Sequence, residues 1–131
     1  MSFAESTRTP SSSSVSAPRL HPEFFIRLFL NDSAMLGPGK AALLDGIART
    51  GSISAAGRRL GMSYRRAWAL VEEMNRHFRA PLVESARGGA GGGGAGLTDL
   101  GRAVLGEYRA LESLVRGAPQ LAALRDMLAR K

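Results

Sequence analysis

A mainly α-helical domain carrying one small β-hairpin is predicted by three features of this 131-residue sequence. Apolar side chains recur every three or four residues in runs that begin at Leu43, Ala67 and Leu100, the pattern of helices with one buried face. Residues able to cap a helix, namely Ser52 or Ser54, Ser63, and Thr98 or Asp99, stand before three of the expected helices. A glycine tract between two short strand-forming segments, Leu82 to Ser85 and Leu97-Thr98, supplies the hairpin. A chain of this length has room for one domain, so a second, ligand-sensing domain is not expected.

In chain order, residues 1–20 contain TRTPSSSSVSAP, which offers too little apolar surface to offset the entropy of ordering it, and a disordered tail is expected. His21 to Leu30 reads as a strand with Phe25, Arg27 and Phe29 on one face and Phe24, Ile26, Leu28 and Leu30 on the other. Gly37-Pro38-Gly39 breaks the chain. A first helix, about Lys40 to Thr50, follows and stops at Gly51. A second, short helix buries Ala56 and Leu60 and ends at Gly61. Ser63 opens a third, running to about Phe78, with Ala67, Leu70, Val71, Met74 and Phe78 in one apolar arc. Arg65, Ala69, Glu72 and Arg76 lie on the opposite arc. A fourth helix carries Leu100, Val104, Tyr108, Leu111 and Val115 and stops at Gly117. Pro119 then suits the first turn of a last helix, on which Leu121, Leu124 and Leu128 continue an apolar stripe.

The net charge is +7, with 16 Arg against 2 Lys, and forked guanidinium donors suit phosphate and guanine. GC-rich coding also produces an Arg-rich chain, so charge alone decides nothing. The absence of cysteine excludes disulfides, thiolate nucleophiles and cysteine-built zinc fingers, and His21 and His77 are too few for an all-histidine metal site. Both read as ordinary surface residues without carboxylate partners. Glu72-Glu73 reads as a helix-solubilising or groove-selecting pair, since adjacent helical residues diverge by about 100° and make a poor acid/base dyad. No enzyme activity and no cofactor are expected. The longest apolar run, Phe24 to Leu30, is broken by Arg27 and is far too short to span a bilayer, and no signal-peptide core is present. A cytoplasmic location is expected.

Small residues, a glycine bend and a new cap, in the order Ala55-Ala56, Gly61, Ser63 and Ala67, are what a helix-turn-helix needs for two helices to cross closely. Ser63, Tyr64, Arg65 and Arg66 place a hydroxyl, a phenol and two guanidiniums on the first turn of the second of these helices, where a recognition helix enters the major groove. Arg65 is the expected base contact and Arg66 a phosphate contact, while Arg58 and Arg59 clamp the flanking backbone and Arg76 adds charge farther along. Tyr64 and Trp68 border the apolar arc, where packing at the helix edge competes with DNA contact. Arg87, Gly88, Gly89, Gly91, Gly92, Gly93 and Gly94 belong to the hairpin tip, a wing whose glycines let main-chain N–H groups approach a sugar-phosphate surface. A floppy linker is the competing reading of these glycines. The tract lacks the ending of a P-loop.

Joined together, GSISAAGRRLGMSYRRAWALVEEMN, PLVES, the glycines and LTDLG resemble the DNA-binding domain of ModE-type molybdate-responsive regulators, over about Phe24 to Leu114. LysR-type regulators share the broader layout. The resemblance implies a winged helix-turn-helix fold with C-terminal dimerisation helices, a homodimer, and a palindromic promoter site. It implies a winged domain over residues 21–116 and a dimerisation helix over 117–131. Carried over by position, Ser63, Tyr64, Arg65, Arg66 and Trp68 fall on the recognition helix and Gly88 to Gly96 in the wing. Gly57 stands where the family usually has alanine, which should weaken the second helix by roughly 1 kcal/mol. About 15 residues follow the fourth helix, too few for the family's molybdate-binding domain, so a separate effector-sensing partner is expected.

The leading reading is a sequence-specific, dimeric transcriptional regulator of double-stranded DNA, acting on molybdenum-related genes, with half-sites about one helical turn apart. Two other readings stay open. One is a winged-helix protein-interaction module without its own operator. The other is an oxyanion binder using Ser63, Arg65 and Arg66 at a helix N-terminus.

Overall fold

The computed structural model describes residues 25–86 and 94–130. The order of elements is β1 (Leu28–Phe29), β2 (Met35–Leu36), α1 (Pro38–Thr50), α2 (Ile53–Arg59), α3 (Tyr64–His77), β3 (Val83–Ala86), β4 (Gly94–Leu97), α4 (Asp99–Arg116) and α5 (Pro119–Asp126). This is the expected mainly helical architecture with a β-hairpin after the third helix. The tail, His21 to Phe24 and the tip from Arg87 to Gly93 lie outside the described residues.

Among the described residues the first strand covers Leu28–Phe29 of the expected segment, and Asn31 turns the chain back after it. Its Oδ1 accepts from the N–H groups of Ser33 and Ala34 at 2.8 and 2.7 Å, a local turn that competes with extended structure. The return strand β2 pairs antiparallel with β1, Leu28 opposite Leu36 and Phe29 opposite Met35. The alternation of faces holds for Ile26 and Leu28, which pack towards Leu36, Ala41 and Tyr108, whereas Leu30 is exposed past the end of the strand.

Pro38 starts α1, two residues before the expected Lys40, since proline at N1 sacrifices an N–H that would be unpaired anyway. Leu43, Leu44 and Ile47 of this helix are fully buried. Ser52 caps α2, its hydroxyl accepting from Ala55 N–H at 3.0 Å. Leu60 is not buried as expected: α2 ends at Arg59, Leu60 becomes the C-cap, and its side chain stays 41% exposed while Ile53, Ala56 and Gly57 turn inward. Gly61, in the left-handed region at φ 74°, makes the turn, and Ser63 caps α3 by accepting from Arg66 N–H at 3.1 Å. Gly57 has a use that helix propensity does not register. A Cβ there would stand 2.8 Å from the Cβ of Ala67, so the missing methyl lets α2 and α3 cross closely.

The wing strands pair antiparallel from Val83 opposite Leu97 to Ala86 opposite Gly94. Each differs by a residue or more from the expected segment, and Thr98 leaves the strand to cap α4, accepting from Gly101 N–H at 2.9 Å. Val71, Met74, Leu82, Val83, Ala95 and Leu97 join the helix-turn-helix residues in one core. Tyr108 on α4 closes a second, smaller cluster with Leu36 and Ala41, and its hydroxyl donates to the carbonyl of Ile26 at 2.7 Å. The last helix, α5, buries none of its residues. Leu121 is half-buried, and Leu124 and Leu128 are exposed.

Candidate nucleic-acid interface

A helix advances about 100° per residue, so α3 presents three working faces besides the buried one. Arg65, Ala69, Glu72 and Arg76 form an exposed outward row, as the sequence suggests. Tyr64, Trp68 and Asn75 lie on the flank that looks towards the wing. Arg66 falls on the opposite flank, beside the start of α1, where it lines a small cavity with Arg27, Pro38 and Lys40. Arg65 and Arg66 are thus adjacent in sequence but serve different sides of the helix.

Tyr64 and Trp68 meet edge to face, ring centroids 6.1 Å apart and planes at 74°. Trp68 remains 38% exposed, so packing does not consume the pair. Together they line a groove of about 470 Å³ whose other walls are Ser52 and Ser54 at the start of α2 and Glu84, Ser85 and Ala95 at the root of the wing. Arg58 and Arg59 are exposed at the end of α2, and Arg58 Nη1 donates to Ser54 Oγ at 3.3 Å. Of the expected wing residues Gly94, Ala95 and Gly96 are described. Gly94 opens β4, and the next residue, Ala95, donates its N–H to the carbonyl of Gly51 at 2.9 Å.

Two positioning features escape a reading of the sequence. Asn75 bridges α3 and the wing: its Oδ1 accepts from Leu82 N–H at 2.8 Å and Val83 N–H at 3.1 Å, and its Nδ2 donates to the Val83 carbonyl at 3.1 Å. The available signal was an amide seven residues beyond Trp68 on the same flank of the helix. The second feature separates Glu73 from Glu72. Lys40, 5% exposed, donates from Nζ to Glu73 Oε2 at 3.0 Å and to the Met35 carbonyl at 2.8 Å. That hydrogen bond, helped by the Lys40 charge and opposed by partial burial, holds the Glu73 carboxyl below its ordinary range. Glu72 stays solvent-exposed, so the two carboxylates do not act as a pair. His77 is half-buried and not a surface residue, and among the described residues its Nδ1 is the one buried side-chain polar atom without a partner.

Among the described residues no group of three or more His, Cys, Asp or Glu is placed to hold a metal ion, and no helix is long and apolar enough to cross a membrane. Residues 40–102 match the family described as bacterial regulatory helix-turn-helix protein, lysR family. This stretch is similar to the helix-turn-helix of lysR-family regulatory proteins. The matched span runs from Lys40 to Arg102, taking in α1 from its third residue, α2, α3, both wing strands and the start of α4.

The chain is 49% identical over 80 residues to the molybdenum-pterin-binding protein MopB of Rhodobacter capsulatus, covering 61% of this chain and 30% of MopB. It is 37% identical over 99 residues to the DNA-binding transcriptional dual regulator ModE of Escherichia coli K12, covering 76% of this chain and 38% of ModE. With the molybdenum transport protein ModE of Azotobacter vinelandii the identity is 43% over 77 residues, or 59% of this chain and 28% of the relative. The chain therefore spans about a third of the length of these curated relatives. The ModE-type resemblance seen in the sequence is matched by relatives that carry that name.

Proposed function

We propose that the chain reads a palindromic promoter site as a homodimer and controls genes of molybdenum metabolism in the cytoplasm. The observation that carries this reading is the placing of Arg65 and Arg76 on the outward row of α3, with the Tyr64–Trp68 pair beside them and the wing root across the groove. In this reading Arg65 meets a base edge, Arg58, Arg59, Arg66 and Arg76 meet phosphates, Ser63 orients the first turn, and Arg87 with the wing glycines tracks the neighbouring backbone. The molybdenum link rests on what the names of the relatives say of them.

Dimerisation is supported by apolar surface that the monomer leaves uncovered. Leu114 is 69% exposed and Met127 76%, Leu124 and Leu128 are also exposed, and an apolar groove of about 350 Å³ runs between β1–β2 and α4. In this reading residues 21–116 read DNA and residues 117–131 join two copies.

The experiment is selection of duplexes from a random-sequence pool, followed by titration of variants on the enriched duplex and on a scrambled one. Arg65→Ala should abolish the preference and leave weak, salt-sensitive binding, whereas Arg59→Ala should weaken both duplexes alike. Equal losses for both variants on both duplexes would sink the assignment, and binding that ignores salt and sequence would favour a protein-interaction module instead.

A further inference from the structure

The wing is tied to the helix-turn-helix at each of its two roots, by different groups. Strand β4 is tied through main chain, Ala95 N–H to the Gly51 carbonyl at 2.9 Å in the turn between α1 and α2. Beyond the burial of Leu82 and Val83 in the core, strand β3 is hydrogen-bonded to α3 through one side chain. The connection from Phe78 to Leu82 has no regular structure, and Asn75 reaches across it with three hydrogen bonds, two accepted from Leu82 and Val83 and one donated to Val83. Among the described residues Asn75 is the one α3 side chain that hydrogen-bonds either wing strand. It lies on the same flank as Tyr64 and Trp68 and lines the same groove.

Resting on the DNA-reading assignment above, we infer that Asn75 is a positioning residue for DNA recognition: it locks the root of the wing to the recognition helix, so that the two meet one duplex at a fixed separation. The amide suits this task. A carboxylate would offer acceptors without the donor to Val83, and a hydroxyl is too short to reach two successive backbone N–H groups and a carbonyl together. Phosphate contacts carry register, so a wing whose root loses these three bonds keeps its charge and loses its place.

The test is a double-mutant cycle on a duplex that the wild-type protein enriches from a random pool, with Asn75→Ala and Arg87→Ala alone and combined, well below each variant's melting temperature. Each single variant should lose about tenfold in affinity, roughly the worth of one contact, and the double variant should be no weaker than Asn75→Ala. Hydroxyl-radical footprints of Asn75→Ala should lose protection at the flank of each half-site and keep it at the centre. Additive losses, an unchanged footprint, or an Arg87→Ala variant with wild-type affinity would each overturn the inference. If Asn75→Ala does not fold, Asn75→Asp, which keeps both accepted bonds and loses the donated one, goes through the same cycle. Arg65→Ala is run alongside: if it leaves binding unchanged, or no duplex is enriched, the DNA-reading assignment itself fails, whereas a normal Arg65 effect with additive Asn75 and Arg87 losses sinks the positioning role alone.

Discussion

Gly101, in the first turn of α4, lies so close to Leu82 that a Cβ on it would stand 2.1 Å from the Leu82 carbonyl oxygen. Leu82 has no freedom to withdraw. Its N–H is held by Asn75, its carbonyl accepts from Thr98 N–H at 2.9 Å, and its side chain is fully buried. The expected outcome of Gly101→Ala is therefore a loss at or above the upper end of overpacking costs, about 3 kcal/mol, read by urea unfolding. On the same helix Gly106 meets nothing within 4 Å, so Gly106→Ala should leave stability unchanged or raise it by up to ~1 kcal/mol. A similar response at the two glycines would show that helix propensity, and not contact with Leu82, governs position 101.

Breaking the Lys40–Glu73 pair should cost more than a surface ion pair. Lys40 is buried, but Glu73 keeps 37% of its side chain exposed, which places Glu73→Gln between the ~1 kcal/mol of an exposed pair and the ~3 kcal/mol of a buried one. The pH dependence has a definite sign. Because the folded carboxyl is held below its ordinary value of 4.5, the stability it adds is fully present above that value and disappears as pH falls through the lowered folded value. Thermal melts of wild type and Glu73→Gln should stay a constant distance apart from neutral pH to about pH 5 and converge below it. A gap that stays constant into strong acid would contradict the pairing.

Tyr108 makes the opposite case at alkaline pH. Burial, reinforced by the Glu112 carboxylate, pushes its phenol above the ordinary 10.0, so its contribution is complete below that value and is lost as pH rises through the raised folded one. Tyr108→Phe should cost about 1 kcal/mol at neutral pH through the lost bond to the Ile26 carbonyl. Scanning calorimetry above pH 10 should show the wild type falling towards this variant. Parallel declines would place the alkaline transition elsewhere.

For the proposed dimer, charges on the exposed apolar surface of α5 and its C-cap are the direct probe. Leu124→Asp combined with Met127→Asp should turn a dimer into a monomer by sedimentation velocity, while far-ultraviolet circular dichroism stays near wild type because neither side chain is buried. A wild-type protein that sediments as a monomer at micromolar concentration would remove this interface from consideration.

Local signals were the legible ones. Ser52, Ser63 and Thr98 show as caps because a short polar side chain before an apolar-periodic run has a local job. The outward row of α3 follows from spacing alone. What was not legible depends on partners distant in sequence. Nothing local says that Gly57 makes room for Ala67, that Glu73 belongs to Lys40 instead of Glu72, or that Asn75 holds Leu82 and Val83. Strand β2 escaped because two residues are too few to display a period, and Leu60 was misplaced because its helix stops one residue earlier than its apolar pattern.

The bond from Tyr108 to Ile26 joins residues 82 positions apart. A chain made from its N-terminus cannot form it until α4 has left the ribosome, long after α1, α2 and α3 are available to pack. Until then Ile26, Leu28 and Leu36 lack the side chain that covers them, so the front of the domain is the last part to be sealed during synthesis. A nascent chain stalled before Tyr108 would therefore carry a formed helix-turn-helix beside an unsealed apolar edge, the state most exposed to proteases and to premature association with a neighbouring chain.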